Sequence, residues 1–296
     1  MKKRSLMMTW ATIILIALSG IAVTSCEKDD ETSNGTTNSD INVEEAQIHA
    51  TVTDPASLCP DANHPHLIDL GIGVKWLCCN VGTNKPEGYG DYFAWGESKN
   101  KKEYWKTEPS KANKYSWDSY PYYTNGSAKD IGEDISGLKT TTRKDQYYNE
   151  DGTIGTKEVK DTLDAAFYEW DKKYKEIERY KDNSWRMPQL ADLQTLLTQC
   201  ESEWTKVNGI VGRKFIGPNG NCIFMPASGR YIESTIHNKD AAGYYWTATI
   251  RKGEEGNTSE KFNNLYAHYL CISYKTVEDY YYWERYIGRT IRGVSE

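Results

Sequence analysis

The side chains of this 296-residue chain that are equipped for chemistry are seven cysteines, five histidines and many aromatics, with 22 Tyr and 10 Trp against 5 Phe. Cys59, Cys78, Cys79, Cys200, Cys222 and Cys271 are scattered through the body of the chain. Thiolates and imidazoles make a metal site legible when they recur at short fixed spacings. Here no Cys-x-x-Cys, His-x-x-x-His or His-Glu-x-x-His occurs. His64 and His66, two apart in a proline-rich loop, read as surface residues, so no metal and no cofactor are expected. A Gly-x-Ser-x-Gly nucleophile elbow is absent, and nothing orders the plentiful Asp and Glu residues into an acid and a base. The chain is therefore not expected to be an enzyme. The aromatics carry the positive signal. Trp105, Trp117, Tyr120, Tyr122 and Tyr123 crowd one irregular stretch, and Tyr281 and Trp283 belong to a Tyr-Tyr-Tyr-Trp run. Flat rings stack on sugars and anchor protein interfaces, which makes these seven the candidate binding residues for a glycan or a surface protein. Trp76, Trp95, Trp185 and Trp246 are read as core, and Arg186, Arg289 and Arg292 as partners of buried acids such as Asp91.

The elements that must position these residues follow from periodicity. Ile48, Ala50 and Val52 alternate with polar residues and predict a short strand, which Pro55, Pro60 and Pro65 then break. Residues 67–71 and 74–79 read as strand segments around a glycine turn. Residues 98–162 are the least regular, a long insert of the kind that is functional or disordered. Leu163, Ala166, Phe167, Trp170, Tyr174 and Ile177 recur at spacings of three and four, predicting a helix over 163–181, capped by Asp161 or Thr162 and exposed from Lys172 onward. A second helix follows Pro188, with Leu190, Leu193, Leu196 and Leu197 on one face. Residues 214–216 and 222–226 predict a hairpin, and 244–249, 267–272 and 289–294 further strands. The class is α+β, with an N-terminal extension over 47–65 and one large domain over 66–296.

Ahead of the domain, Lys2, Lys3 and Arg4 precede an apolar run ending in Val23-Thr24-Ser25-Cys26. This resembles a bacterial lipobox, which makes residues 1–25 a signal peptide and Cys26 the lipidated residue. Lys28, Asp29 and Asp30, inside the charged run 27–31, resemble the surface-export signal of Bacteroidetes lipoproteins. Residues 26–46, mostly Ser, Thr, Asn, Gly and acid, are expected to be a disordered tether. The expected location is the outer membrane, lipid-anchored and facing outward. The leader holds three bases and no acid, so its removal takes the formal charge from −6 to −9. An acidic chain with no basic stripe argues against nucleic acid as a partner and leaves the lipid as its route to the membrane. A mean hydropathy of −0.74 excludes a polytopic membrane protein.

Eight segments in order carry a family resemblance: Ile68-Asp69-Leu70-Gly71 with Val74-Lys75-Trp76, Cys79-Asn80-Val81-Gly82, residues 89–97, Trp185-Arg186-Met187-Pro188, residues 217–221, residues 223–229, Tyr244-Tyr245-Trp246 and residues 288–292. Over residues 66–295 the chain resembles the Fibrobacter succinogenes major paralogous domain. That family looks like a relative of the C-type-lectin-like fold, also used by formylglycine-generating enzymes. The resemblance implies two helices flanking a curled antiparallel sheet with long loops, and no general activity. Calcium motifs of lectins with this fold, Glu-Pro-Asn and Trp-Asn-Asp, are missing, since Glu108-Pro109 is followed by Ser110. The copper-binding cysteine pair of the formylglycine enzymes has no counterpart, because Cys271 stands alone in that region. Cys79 and Cys200 lie in or near family motifs and are the first candidate disulfide. Cys222 and Cys271, in late strands, are the second, which leaves Cys59 and Cys78. Six cysteines permit fifteen connectivities, and Cys78 and Cys79 need different partners if they lie in a strand. Asp161-Thr162-Leu163 resembles a short O-glycosylation sequon. The function expected is non-catalytic recognition, with a structural or accessory subunit of a surface appendage as the alternative and an enzyme of unknown chemistry as the third reading.

Overall fold

The computed structural model of the chain describes residues 42–105, 108–151, 153–252 and 264–296. The signal peptide expected over residues 1–25, Cys26 and Lys28-Asp29-Asp30 all lie outside the described residues. Among the described residues, six small sheets of two to four strands, none closed, combine with short helices in an α+β architecture. No helix among them is long and apolar enough to cross a membrane.

Asn42 opens helix α1 (Val43–Ile48) by accepting the Glu44 N–H at 2.9 Å. Ala46 is buried against Trp204, whose indole donates to the Ala46 carbonyl at 2.8 Å. This corrects the expectation of a disordered tether through residue 46. One small residue fitting one distant indole orders the segment, and composition does not reveal that. Strand β1 (Thr51–Val52) is all that remains of the strand expected over 48–53, because Ile48 closes the helix.

Strands β2 (Leu67–Asp69) and β3 (Lys75–Leu77) form the expected antiparallel pair. The insert then supplies helix α2 (Lys101–Tyr104), a minor pair β4 (Tyr123–Thr124) and β5 (Ser127–Ala128), and a nine-residue hairpin of β6 (Thr140–Tyr148) and β7 (Ile154–Thr162). That hairpin has no apolar signature in the sequence, because its strands are polar along their length and lack a period of two in apolar residues. The Asp151-Gly152 dipeptide between them was the available turn signal.

The helix expected over 163–181 is shorter and starts later. Helix α3 (Ala165–Glu169) passes into a π-helical turn at Trp170–Tyr174. Its cap is Asp164, not Asp161 or Thr162: Asp164 Oδ1 accepts from Ala166 and Phe167, and Oδ2 from Gly137 at 2.6 Å and Met187 at 2.7 Å. Thr162 is used in β7, and Asp161 is buried among tyrosine hydroxyls. Helix α4 (Leu190–Gln199) forms as expected after Pro188, burying Leu193 and Leu196. Asp192 completes its first turn by accepting the Gln189 N–H at 2.8 Å.

Strand β8 (Glu201–Val207), unforeseen, lies between β1 and β9 (Ile210–Ile216), and β9 pairs with β10 (Cys222–Pro226) as the expected hairpin. A short pair, β11 (Arg230–Ile232) and β12 (Thr235–His237), leads into the three-stranded sheet β13 (Ala242–Ile250), β14 (Tyr266–Ser273) and β15 (Val277–Glu284). The strand expected over 289–294 enters a ladder only at β16 (Val294–Ser295), beside β3, with isolated bridges from Arg289 to Phe93 and Thr290 to Tyr245.

Strand β13 separates two cores by its period of two. Tyr244, Trp246 and Ala248 enter the larger core with Trp95, Trp185, Ala267 and Tyr269, whereas Tyr245 enters the second with Trp76, Leu193, Leu196, Leu270 and Ile272. The four tryptophans read as core are each at most 1 % exposed. Segments far apart in the chain meet through backbone groups. The Trp95 indole donates to Thr247 O at 2.8 Å, and that of Trp246 to Phe93 O at 3.0 Å. Asn219 and Asn221 both donate to Asp69 O, at 2.9 and 2.8 Å. Gly217 is required there, because a Cβ would lie 2.1 Å from Leu70 O. The arginines depart from expectation. Arg186 does pair acids, Asp192 at 2.6 Å and Glu296 at 2.7 Å. Arg292 instead donates to the Leu77, Cys78 and Phe224 carbonyls and to Asn80 Oδ1, and Arg289 lies 3.4 Å above the Tyr269 ring.

Candidate functional site

The insert aromatics point inward. Tyr120 and Tyr122 are at most 2 % exposed. The Tyr120 hydroxyl donates to Trp95 O at 2.6 Å and accepts from Arg285 Nε at 2.8 Å. The Tyr122 hydroxyl donates to Asp161 at 3.1 Å, where Arg143 Nε (2.6 Å) and the Tyr104 hydroxyl also converge. Desolvation holds the Tyr104 and Tyr122 phenols well above their ordinary pKa, so both remain donors. Half-buried Trp117 stacks on Tyr123 at 4.4 Å and donates to Glu284 at 3.3 Å, with both rings packed on the larger core. Trp105 lies under Lys111, whose Nζ is 4.7 Å from its ring. Tyr120 and Tyr122 are thus corrected from candidate binding residues to core. The loop pattern that suggested exposure hides an ordered interior. Next to them Lys101 and Glu97 form a 2.6 Å ion pair sealed from solvent, and Lys101 also donates to Ser119 O at 2.9 Å. Burial lowers the lysine pKa and raises that of the glutamate. Sealed from water, this pair ties the start of α2 to Glu97 and to the turn at Ser119.

The Tyr-Tyr-Tyr-Trp run lies in β15, and alternation divides it. Tyr281 and Trp283 face the larger core, Tyr281 stacking on Tyr269 at 5.7 Å. Tyr282 pairs in register with His268 and takes the opposite face. There Tyr266, His268 and Tyr282 form a cluster of half-buried rings. Tyr282 lies edge-on to Tyr266 at 5.8 Å and to His268 at 6.2 Å, and the Arg251 guanidinium sits 3.7 Å from the Tyr282 centroid. Farther along the same face, Leu270 and Ile272 pack with Leu193 and Leu196 of α4, so the ring cluster lies beyond the helix-covered part. The sequence contained this signal, because a strand that buries Tyr281 and Trp283 must turn Tyr282 the other way.

The thiols form a second constellation. Cys78 and Cys79 follow β3 directly, while Cys59 and His64 lie in the proline-rich loop before β2. The Cys59 Sγ, a ring nitrogen of His64 and the Cys78 Sγ all lie within 4.8 Å of one another. Cys78 Sγ is 3.4 Å from His64 Nδ1 and 3.3 Å from Cys79 Sγ, and it accepts the His66 N–H at 3.0 Å. Hydrogen bonds from the Cys59 and Cys79 thiols, helped by His66 N–H, hold the Cys78 pKa far below that of an ordinary thiol, whereas Cys59 and Cys79 are pushed up as the donors. Three expectations are corrected here. Metal-ligating residue types do converge, because the turn from β2 to β3 folds residues 59–64 and 78–79 together without a short motif. Cys78 and Cys79 share a cluster and not opposite faces, since both lie beyond the last β3 ladder pair. None of the candidate disulfides involving Cys59, Cys78, Cys79, Cys200 or Cys222 forms; all five are free thiols. Cys79 meets Cys78, and the Cys222 thiol donates to Ser57 O at 3.5 Å, while Cys271 is buried in the larger core.

No family model, curated protein or solved structure matches the chain.

Proposed function

We infer that the chain is a lipid-anchored outer-membrane lipoprotein, held by Cys26 and exported by the Lys28-Asp29-Asp30 signal. Its domain, of C-type-lectin-like type within the Fibrobacter succinogenes major paralogous family, recognises a glycan or a protein without catalysis. The family reading is supported by the way the recurrent segments need one another: Asn219 on Asp69, Arg292 on Leu77 and Cys78, Trp246 on Phe93. The observation that carries recognition is the face of Tyr266, His268 and Tyr282 with Arg251 over Tyr282. Rings at adjacent strand positions offer stacking surface to a sugar, and the guanidinium offers donors to its hydroxyls.

The test is a glycan array on residues 42–296, followed by titration of any hit against Tyr282→Ala. Loss of fivefold or more in affinity, about 1 kcal/mol, is expected of an interface anchor. A hit bound equally well by Tyr282→Ala overturns the assignment of the face. The anchor is tested by fractionation. Cys26→Ala should leave washed membranes for the soluble fraction, and its retention there overturns the lipoprotein reading. The alternative, an appendage subunit, has one observation in its favour: Val52, 80 % exposed, lies in the edge strand β1 of the four-stranded sheet, and Ile48, 78 % exposed, closes the helix just before it.

A further inference from the structure

The geometry points to a structural zinc-class site built by Cys59, His64 and Cys78, with Cys79 closing the fourth position. A tetrahedral zinc, with bonds of about 2.3 Å to sulfur and about 2.0 Å to nitrogen, sets its donor atoms roughly 3.5–3.8 Å apart. Cys78 Sγ lies 3.4 Å from His64 Nδ1, and Cys59, His64 and Cys78 hold their ligand atoms within 4.8 Å of one another; Cys79 Sγ, 3.3 Å from Cys78 Sγ but outside that group of three, reaches the fourth position by a turn of its side chain on binding. Three sulfurs and one imidazole select a borderline-soft cation over calcium or magnesium, which require oxygen donors.

The surroundings fit an occupied site. Three thiolates around a divalent cation leave one negative charge, and the buried guanidinium of Arg292 supplies the opposite one. It donates to the Leu77 and Cys78 carbonyls at 2.9 and 2.7 Å. The Cys78 sulfur has its outer hydrogen bond from His66 N–H, and the His66 ring reaches Asp61 at 3.2 Å, which fixes the loop that carries Cys59 and His64. Four protein ligands leave no open position, so the metal is assigned to structure. It ties the N-terminal extension to the strand pair at the base of the domain, where no disulfide does so. This site is independent of the recognition face and stands or falls separately from it.

The experiment uses residues 26–296 purified under reductant, stripped with chelator and titrated with Co²⁺ and then Zn²⁺. One equivalent of Co²⁺ should give the visible bands of tetrahedral cobalt with near-ultraviolet thiolate charge transfer, and Zn²⁺ should bleach both. Cys59→Ser and His64→Ala, changed at half-buried loop positions, should each weaken binding at least tenfold. Both should still melt with the metal-free wild type in chelator, which separates lost ligation from lost folding. Cys200→Ser should bind as the wild type does. Absence of the cobalt spectrum overturns the site, as does equal binding by Cys59→Ser and His64→Ala. So does a Cys59–Cys78 disulfide in protein taken from cells, with neither thiol open to alkylation.

Discussion

The insert and the strand pair β14–β15 are the two regions richest in tyrosine and tryptophan, and they use these residues in different ways. In the insert, Tyr104, Tyr115, Tyr120 and Tyr122 are all buried, and the hydroxyls of Tyr104, Tyr120 and Tyr122 bond to one another, to Asp161, to Trp95 O or to Arg285. In the strand pair, neighbouring residues of one run part company: Tyr281 and Trp283 go to the core and Tyr282 to the other face. A strand sorts its side chains by position, so the division is readable once the strand is recognised. A loop has no such rule, and burial there depends on where distant segments arrive. Tyr115 illustrates this, since it is walled in by Gly288 and Tyr231 from the far end of the chain.

The contrast is broken most severely by truncation. Tyr122→Ala should cost about 3–5 kcal/mol, the range for deleting a buried aromatic, with the Asp161 carboxylate losing a partner as well. Tyr282→Ala, which removes a half-buried ring with edge-on and guanidinium contacts, should cost less, about 1 kcal/mol. Paired urea-denaturation curves measure both. If Tyr122→Ala unfolds no more readily than Tyr282→Ala, the insert is not the packed region described.

A smaller effect sharpens the same comparison through pH. Asp164 ties the insert at Gly137 to Met187 and to the start of α3. Its burial outweighs four N–H donors and raises its pKa from 3.8 to about 6. An acid whose folded pKa is raised keeps its proton in the folded state after the unfolded chain has released its own. The stabilisation is therefore full below about pH 4 and is lost as pH rises to about 6, by an amount on the order of 3 kcal/mol. Denaturation midpoints at pH 4 and pH 7 should show this fall in the wild type, and Asp164→Asn should lack that part of it. An equal fall in Asp164→Asn would assign the pH response to other carboxylates.

Much of the frame was legible in the residues themselves. The four core tryptophans, the helix after Pro188, the 214–226 hairpin and the α+β class follow from apolar periodicity and from Gly and Pro punctuation, which act over a few residues. Strand β13 shows how far such local information reaches, because its alternation alone divides Tyr244 and Trp246 from Tyr245. What only the tertiary structure decided are the matters that join residues far apart in the chain. The polar hairpin β6–β7 and helix α1 hold their places through partners no window includes, as when Trp204 binds the Ala46 carbonyl across 158 positions. The thiol cluster likewise has no motif, since Cys59 and Cys78 approach only when β2 folds back on β3. Spacing along a chain reports ligation or burial only when the groups share one element, and these groups meet through the folding of several.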